Sequence, residues 1–557
     1  MKPSGRGFPK TVCALALFAT FIVAGKAQTC EPKAAGISLP PGFCATIFAD
    51  NLGHARHLAV APNGIVFVNT WSGSYYSNKE LPAGGFLVAL QDTNGDGHAN
   101  IVRRFGPSSK EGSAGGTGIT VYKGGLFVEV NDRIVRYGLP AKGIVPDSPP
   151  AVIVEGLPLD GDHPMHPFTI DSNGNLFVNS GSASNACQQA NRMLRSPGHQ
   201  PCDELKTRGG IWRYDANKTG QKFSPAERYA TGIRNSEGMA FDSHGRFFVT
   251  QHGRDQLFQN WPALYNAYEG AELPAEVVVQ LEQGADYGWP TCYFDGFKKQ
   301  NILAPEFGGD GKKEGGCSQK RKPAAFFPAH WAPNAMVIYS GRLFPATYKD
   351  GLFIAFHGSW NRAPAPQGGY NVVFQPMKDG MASGAFSIFA DGFAGATKEP
   401  GKAAFRPAGI AMGPDGSLYI ADDVHGRIWR VTYQGDTSKT QASSQAVQPT
   451  AVVQKTRTLP IPPGSTKEQV ERGSKIYQNG SCAGCHASDA NGSALGSDLT
   501  SGKWLWGDGS VQSIAQIIKT GVPHPKEHIG AMPAMGGATF SQAELDALAV
   551  YVWALGH

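Results

Sequence analysis

The chain has 557 residues, too many for one ordinary core, so two or more domains are expected, one large and one small. Glycine is abundant at 71 residues and charged residues make up only 17%, a balance that suits short strands and tight turns better than long helices. The formal charge of +5 includes Lys2, Arg6, Lys10 and Lys26, which share one acid-free segment, so the rest is close to neutral and gives no reason to expect nucleic acid.

Residues 1–27 carry three early cations, the apolar run "TVCALALFATFIVA" and small residues ending at Ala27, the layout of a secretory signal peptide. The run is shorter than the about 20 apolar residues that span a bilayer, and no second candidate follows, so no transmembrane segment is expected and the protein reads as periplasmic or secreted. The sequence "AQTC" at residues 27–30 is a poor lipoprotein signal. Beyond Cys13 and two cysteines near the C-terminus, six form close pairs: Cys30 with Cys44, Cys187 with Cys202, and Cys292 with Cys317. In an exported protein these read as disulfides closing short loops, each contributing roughly 2–4 kcal/mol. Six cysteines allow about fifteen pairings, of which nearest-neighbour pairing is the simplest.

Four segments repeat one pattern of apolar strand, glycine turn and second apolar strand: "LAVAPNGIVFV" from Leu58, "FTIDSNGNLFV" from Phe168, "MAFDSHGRFFV" from Met239 and "IAMGPDGSLYI" from Ile410. Two weaker copies, "TVYKGGLFVEV" from Thr120 and "FPATYKDGLFIAF" from Phe344, bring the number to six. Their turn positions are Gly64, Gly124, Gly174, Gly245, Asp350 and Gly416. Six units that cannot bury their own faces point to six sheets packed radially, an all-β six-bladed propeller over residues 28–433. A β-sandwich pair is the alternative, but it has no reason to repeat the hairpin six times. Unequal spacing places long loops on the propeller, and loops tend to carry chemistry.

Within the repeat region, "DTNGDGHAN" from Asp92 resembles the first half of a calcium loop, but the twelfth position is Arg103 where an acid is needed, so an Asx-rich turn is the default. "DGDHPMHPFTI" places His163 and His166 in a polar loop before a hairpin strand, on the rim where a substrate could reach them. A histidine there can act as general base because its pKa lies near neutrality. Two surface turn histidines, or a metal pair completed by Asp160 or Asp162, are the alternatives. Arg234 and Asn235 in "GIRNSEGMAFD", Arg362 in "FHGSWNR" and Arg406 in "AFRPAG" stand before strands or turns at comparable blade positions. If such arginines converge on one face they make a site for a multiply anionic ligand, since guanidinium binds carboxylates bidentately.

The polar, proline-containing stretch 434–462 reads as a linker, followed by a small all-α domain at 463–557. Capping boxes are expected at Ser465 with Glu468 and at Ser541 with Glu544, the second opening a helix whose Leu545, Leu548 and Val552 share a face. Between these helices lies "GSCAGCHASDANGS", in which Cys482 and Cys485 have the spacing for two thioethers to haem c, with His486 as the proximal iron ligand. A thioredoxin-like pair would need a βαβ context, and a zinc site lacks two ligands. The loop "GAMPAMGG" offers Met532, with Met535 as the alternative, for the sixth iron ligand. This domain resembles class I cytochromes c, whose axial loop matches "AMPAMGG" with Met532 as ligand.

Taken in order, the propeller motifs resemble the pyrroloquinoline quinone (PQQ) dependent glucose/sorbosone dehydrogenases, including their pyranose dehydrogenase branch, over roughly residues 35–433. The resemblance implies that a tricarboxylate quinone lies on the top face of the propeller, that His163 is the catalytic base, and that Arg234, beside Asn235, contacts the reactive quinone carbonyl. It also implies that backbone carbonyls of Gly253 and Arg254, in "TQHGRDQ", hold a calcium ion, and "DYGWP" at 286–290 is shared. The soluble glucose dehydrogenases of the family carry a lysine in the region matching "HGSWNR", where this chain has Arg362, and a paired arginine is here the single Arg406.

The expectation is a quinohaemoprotein oxidising an aldose or sugar aldehyde and passing electrons through haem c to an external cytochrome, copper protein or oxidase. A glycan- or partner-binding propeller with a relay cytochrome is the alternative. A propeller oxidoreductase of the nitrite reductase type would need a second haem motif, and only one Cys-x-x-Cys-His is present.

Overall fold

The computed structural model describes Met1, residues 36–70, 83–107 and 116–435, and residues 459–557 except 481, 488, 493–495, 523–524, 528–531, 533 and 538–539. The expected signal peptide and most of the expected linker lie outside the described residues.

Six units of four antiparallel strands succeed one another along the chain, the second extended by the short strand Gln221–Lys222, which pairs parallel with Ala151–Glu155. The first blade comprises Ala55–Val60, Val66–Thr70, Leu87–Gln91 and Ile101–Phe105; the second, Ile119–Tyr122, Gly125–Val130, Arg133–Gly138 and Ala151–Glu155. The third has Phe168–Ile170, Asn175–Ser180, Gly210–Asp215 and Arg228–Thr231; the fourth, Met239–Phe241, Phe247–Gln251, Glu276–Leu281 and Ala325–Phe327. Pro333–Ile338, Leu352–Phe356, Asn371–Gln375 and Ser387–Ala390 form the fifth. The sixth joins Pro407–Met412, Leu418–Asp422 and Ile428–Tyr433 to the early strand Phe43–Ala49, which pairs antiparallel with Ile428–Tyr433 from Phe43 opposite Tyr433. First strands of successive blades touch in a closed ring, the sixth meeting the first. Closing the ring with a strand from the other end of the chain removes the open sheet edges that a linear array would expose.

All six turn positions adopt positive φ, from 58° at Asp350 to 94° at Gly174, as the shared hairpin requires. The fifth unit departs from its sequence reading. Its first strand is Pro333–Ile338, not the stretch from Phe344, and Ala346–Tyr348 is a 3₁₀ turn inside the connection. Tyr339 donates its N–H to the Gly351 carbonyl and accepts from Asp350, so the turn is conserved in function while the loop is longer. Aromatic rings of Phe344, Tyr348, Phe353 and Phe389 pack over it, each worth about 1.5–3 kcal/mol when buried.

Disulfides Cys187–Cys202 and Cys292–Cys317 form as paired in the sequence. Cys44 is also disulfide-bonded, while its expected partner Cys30 lies outside the described residues. The Asp92 loop is an Asx-rich turn: its carboxylate accepts the N–H groups of Gly95 and Gly97.

The C-terminal region is helical: Lys467–Asn479, Cys482–His486, Val511–Thr520 and Gln542–Gly556. The first helix is capped by Thr466 with Gln469, one residue later than the expected Ser465 with Glu468, because Thr466 has the extended backbone that lets its hydroxyl accept the Gln469 N–H. The Ser541–Glu544 box is present. The last helix is buried nearly all round, with Ala547, Val550, Tyr551 and Ala554 inside as well as Leu545, Leu548 and Val552. It crosses the first helix at Gly473, where a Cβ would lie 2.0 Å from the Ala547 carbonyl oxygen.

Candidate functional site

Because strands alternate in direction, the connections that enter each first strand and leave each second strand open on the same propeller face, opposite the six repeated turns. His163 precedes the third blade, Arg234 and Asn235 the fourth, and Arg406 the sixth, while Arg192, Asp255 and Asn361 lie in connections between second and third strands. These loops converge. Asp255 is the hub: its carboxylate accepts Arg234 Nη2 at 3.0 Å, Arg192 Nη2 at 3.1 Å and Asn361 Nδ2 at 2.8 Å. Burial works against this carboxylate, but the Arg234 and Arg192 charges hold its pKa well below the usual range.

Arg234 is 3% exposed and its remaining donors reach the carbonyl and side-chain oxygens of Asn185 at 3.0 Å and the Gly253 carbonyl at 3.0 Å. Trp289 of the "DYGWP" stretch donates Nε1 to the same Asn185 carbonyl at 3.2 Å, so that motif fixes the residue that fixes Arg234. Arg192 also binds Asp162, with Nη2 at 2.8 Å.

His163 is half-buried, with Nδ1 at 2.8 Å from the Ser182 carbonyl and 3.0 Å from its hydroxyl. The carbonyl can only accept, so Nδ1 carries the proton and Nε2 presents a lone pair. Burial, with the Arg234 charge beside it, pushes the imidazole pKa down to about 3, so the ring is neutral at physiological pH. Gly181 makes room: a Cβ there would stand 2.6 Å from both His163 Cβ and Asn235 Oδ1. Asn235 is buried, accepts Asn179 Nδ2 at 3.0 Å and lends its carbonyl to the His252 N–H.

Other sequence candidates take different places. His166 is not on the rim. It is fully buried, its N–H donates to Glu129 at 2.7 Å and its ring lies 3.6 Å from that carboxylate, because the loop turns inward at Met165 to start the blade. Nor do the two histidines form a metal pair with the neighbouring acids: Asp160 is bound to Arg208 and Asp162 to Arg192. The Arg362 guanidinium is buried against the Ala271, Ala329 and Pro366 carbonyls and Glu272, which ties the loop after the second strand of the fifth blade to the Ala267–Glu272 helix. Arg406 donates to the His357 and Gly358 carbonyls and stacks 5.5 Å over the Tyr370 ring, half-buried. The Arg254 side chain points away into an ion pair with Glu306 at 2.5 Å.

Sequence reasoning did not single out Arg192, Asp255, Asn185 or Asn361. Asp255 follows directly on Arg254 inside the quoted "TQHGRDQ", so its signal was present; Arg192, in "QQANRML", has none.

The residues fit an anionic, hydrogen-bonding cofactor. Two guanidiniums meet at one carboxylate, and Asn361 Oδ1, beside it and buried, has no hydrogen-bond partner among the described residues, so a ligand hydroxyl or N–H would find an acceptor there. For a calcium ion the backbone oxygens are the right kind of donor. The Gly253 carbonyl is engaged by Arg234, however, so as the residues stand the Arg254 carbonyl is the more open of the two. Both residues border a small cavity with Trp289, Tyr293 and Pro274.

The second site is local. Cys482 and Cys485 lie on one helical turn and neither is in a disulfide. His486 Nδ1 is 2.8 Å from the Ser497 carbonyl, an orientation in which Nε2 could face a haem iron. Gly496 keeps that ring in place, since a Cβ would stand 3.1 Å from His486 Cε1. Met532 is held by paired backbone bonds to Val522 at 2.7 and 2.9 Å, and Met532, Met535 and Cys482 all pack against the core of the helical domain. These residues fit haem c. Among the described residues no helix is long and apolar enough to cross a membrane.

Comparison with known proteins agrees with this division. Residues 37–434 match the family model described as TrAA12-like, and residues 468–552 match that of cytochrome C oxidase, cbb3-type, subunit III. An uncharacterized protein of Borreliella burgdorferi is 30% identical over 223 residues, 38% of this chain and 50% of that protein. The pyrroloquinoline quinone-dependent pyranose dehydrogenase of Coprinopsis cinerea is 27% identical over 237 residues, covering 36% of this chain and 30% of that enzyme. The chain thus spans half or less of the curated relatives it matches. Among solved structures, a Trichoderma reesei Carbohydrate-Active Enzymes Family AA12 protein aligns with TM-score 0.57 at 18% identity, over 72% of this chain and 98% of that one. The holo PQQ domain of the Coprinopsis cinerea pyranose dehydrogenase aligns with TM-score 0.55 at 19% identity, over 71% and 97%. These likenesses show the fold. With well over half of its length matched, the chain belongs to the TrAA12-like family, its propeller joined to a C-terminal cytochrome c-type domain.

Proposed function

We propose that the protein is an exported quinohaemoprotein dehydrogenase that oxidises an aldose or sugar aldehyde at the propeller and passes the electrons to haem c. The observation that carries this reading is the meeting, on one face, of His163, whose Nδ1 is held by Ser182, with the guanidiniums of Arg192 and Arg234 around Asp255. The similarity to a PQQ-dependent pyranose dehydrogenase supports the choice of cofactor. Export is supported by the leader-like segment at 1–27 and by the disulfides, and we take 28–433 as the propeller, 434–462 as the linker and 463–557 as the cytochrome domain.

PQQ, when bound, supplies a two-electron acceptor for the hydride equivalent of the sugar carbon. Arg234, Asn235 and Arg192 would hold it, with Arg406 at the edge of the site and Arg362 bracing the loop that carries Asn361; calcium would take the Gly253 and Arg254 carbonyls. His163 Nε2 takes the proton of the anomeric hydroxyl, while its Nδ1–H stays on the Ser182 carbonyl and stabilises the charge the ring acquires. The Arg234 guanidinium is buried, and a positive charge held there would be most effective in stabilising negative charge that develops on the cofactor. Each sugar releases two electrons. Cys482 and Cys485 would hold haem c, with His486 and Met532 as the ligands of its iron, and the group would supply a one-electron carrier, so that two successive transfers to an external one-electron acceptor would complete each turnover.

Purified protein supplied with PQQ, calcium and a panel of aldoses and sugar aldehydes should reduce an artificial dye. Absence of oxidation with every member, in protein that binds PQQ, would overturn the reading in favour of a glycan- or partner-binding propeller.

A further inference from the structure

Gly484 stands in the middle of the Cys482–His486 helix and is not among the positive-φ glycines. Its backbone therefore gives no reason for glycine, which weakens a helix relative to alanine. The reason lies in the other domain. A Cβ at 484 would stand 2.3 Å from the Trp360 carbonyl oxygen and 3.1 Å from its ring carbon Cε3. Trp360 belongs to the connection after the second strand of the fifth blade, next to Asn361, which binds Asp255. Thus the haem-attachment helix lies directly on the face where the propeller site is assembled. A second contact agrees. Lys402, in the loop before the sixth blade, pairs with Asp489 just after the motif at 3.0 Å. The ion pair is partly exposed and such pairs are weak, so it orients the contact without holding it alone.

We infer that Gly484 and Trp360 form a docking contact that seats the Cys-x-x-Cys-His helix on the propeller face, next to the Asn361 that binds Asp255. The domain junction is then a specific surface and not a flexible tether with random encounters. The electron-transfer purpose of the contact rests on the proposed function, but its geometry does not.

Zero-length carbodiimide cross-linking of the full-length, haem-loaded protein tests the contact without PQQ or sugar. Peptide mass spectrometry should find Lys402 joined to Asp489 in the wild type. Gly484→Val should lower that yield several-fold with the haem absorption unchanged. Trp360→Ala, which leaves the cytochrome domain untouched, should lower it as well and covers the case in which Gly484→Val fails to take up haem. No Lys402–Asp489 link in the wild type, or an undiminished link in Trp360→Ala and in haem-loaded Gly484→Val, would overturn the inference. A cross-linked protein that oxidises no sugar would instead overturn the proposed function and leave the docking contact standing.

Discussion

The propeller face and the haem motif are built in opposite ways. Cys482, Cys485 and His486 lie within one short helix, and their geometry follows from five consecutive residues. His163, Arg192, Arg234, Asp255 and Asn361 come from the third, fourth and fifth blades, and they meet only because every blade opens its first and second strand ends on the same side. The local site can be altered residue by residue with local consequences. The assembled site responds as a network, since Asp255 alone satisfies two guanidiniums and an amide.

The largest expected effect separates the two sites cleanly. Cys482→Ala with Cys485→Ala should abolish covalent haem, read by haem staining of the denatured protein, while PQQ- and sugar-dependent dye reduction by the propeller remains. His163→Ala should have the converse pattern: a loss of about 10²–10⁴-fold in dye-linked rate, with haem still reduced normally by dithionite. Asp255→Ala should destabilise the propeller by about 3–5 kcal/mol, because the buried Arg234 is left as an uncompensated charge while Arg192 keeps Asp162; a fall in the denaturant midpoint checks this. Gly181→Ala should be milder, about 1–3 kcal/mol, but should lower kcat because the added methyl group pushes His163 and Asn235 apart. Smallest is a pH effect. With its pKa held at about 3, His163 stays neutral as pH falls through 6.5, so kcat/KM should show no limb near 6.5 from this residue. The unfolded chain takes up that proton first, so the stability linked to His163 is complete above about pH 6.5 and declines towards about pH 3. Acid titration of the denaturant midpoint in the wild type against His163→Gln measures the difference.

The same contrast explains what could be read from the sequence. Five of six hairpins were legible because strand, glycine turn and strand are contiguous, and the sixth was misplaced because its first strand, Pro333–Ile338, is separated from its turn by an inserted 3₁₀ segment. The closing strand Phe43–Ala49 pairs across the whole propeller and leaves no local trace. In the site, His163 and Arg234 could be picked out by their offset from hairpin strands. His166, at the same kind of offset, turned out to be buried, since the pattern does not say which way a side chain faces. Arg362 and Arg406 were grouped with Arg234 by blade position, but the structure commits the first to carbonyls of neighbouring loops and the second to the His357–Gly358 backbone and Tyr370. Arg192 was invisible because its role depends on a disulfide-bounded loop folding back over Asp255.

The central claim is that electrons released at the propeller face reach the haem on the same chain. The visible spectrum of the PQQ- and calcium-loaded oxidised protein, recorded on adding an aldose or sugar aldehyde with no external mediator present, tests it most directly. The account predicts reduction of the haem that requires both sugar and PQQ and is lost in His163→Ala. A haem that stays oxidised with every sugar whose oxidation the dye assay detects, yet is reduced at once by dithionite, would contradict it.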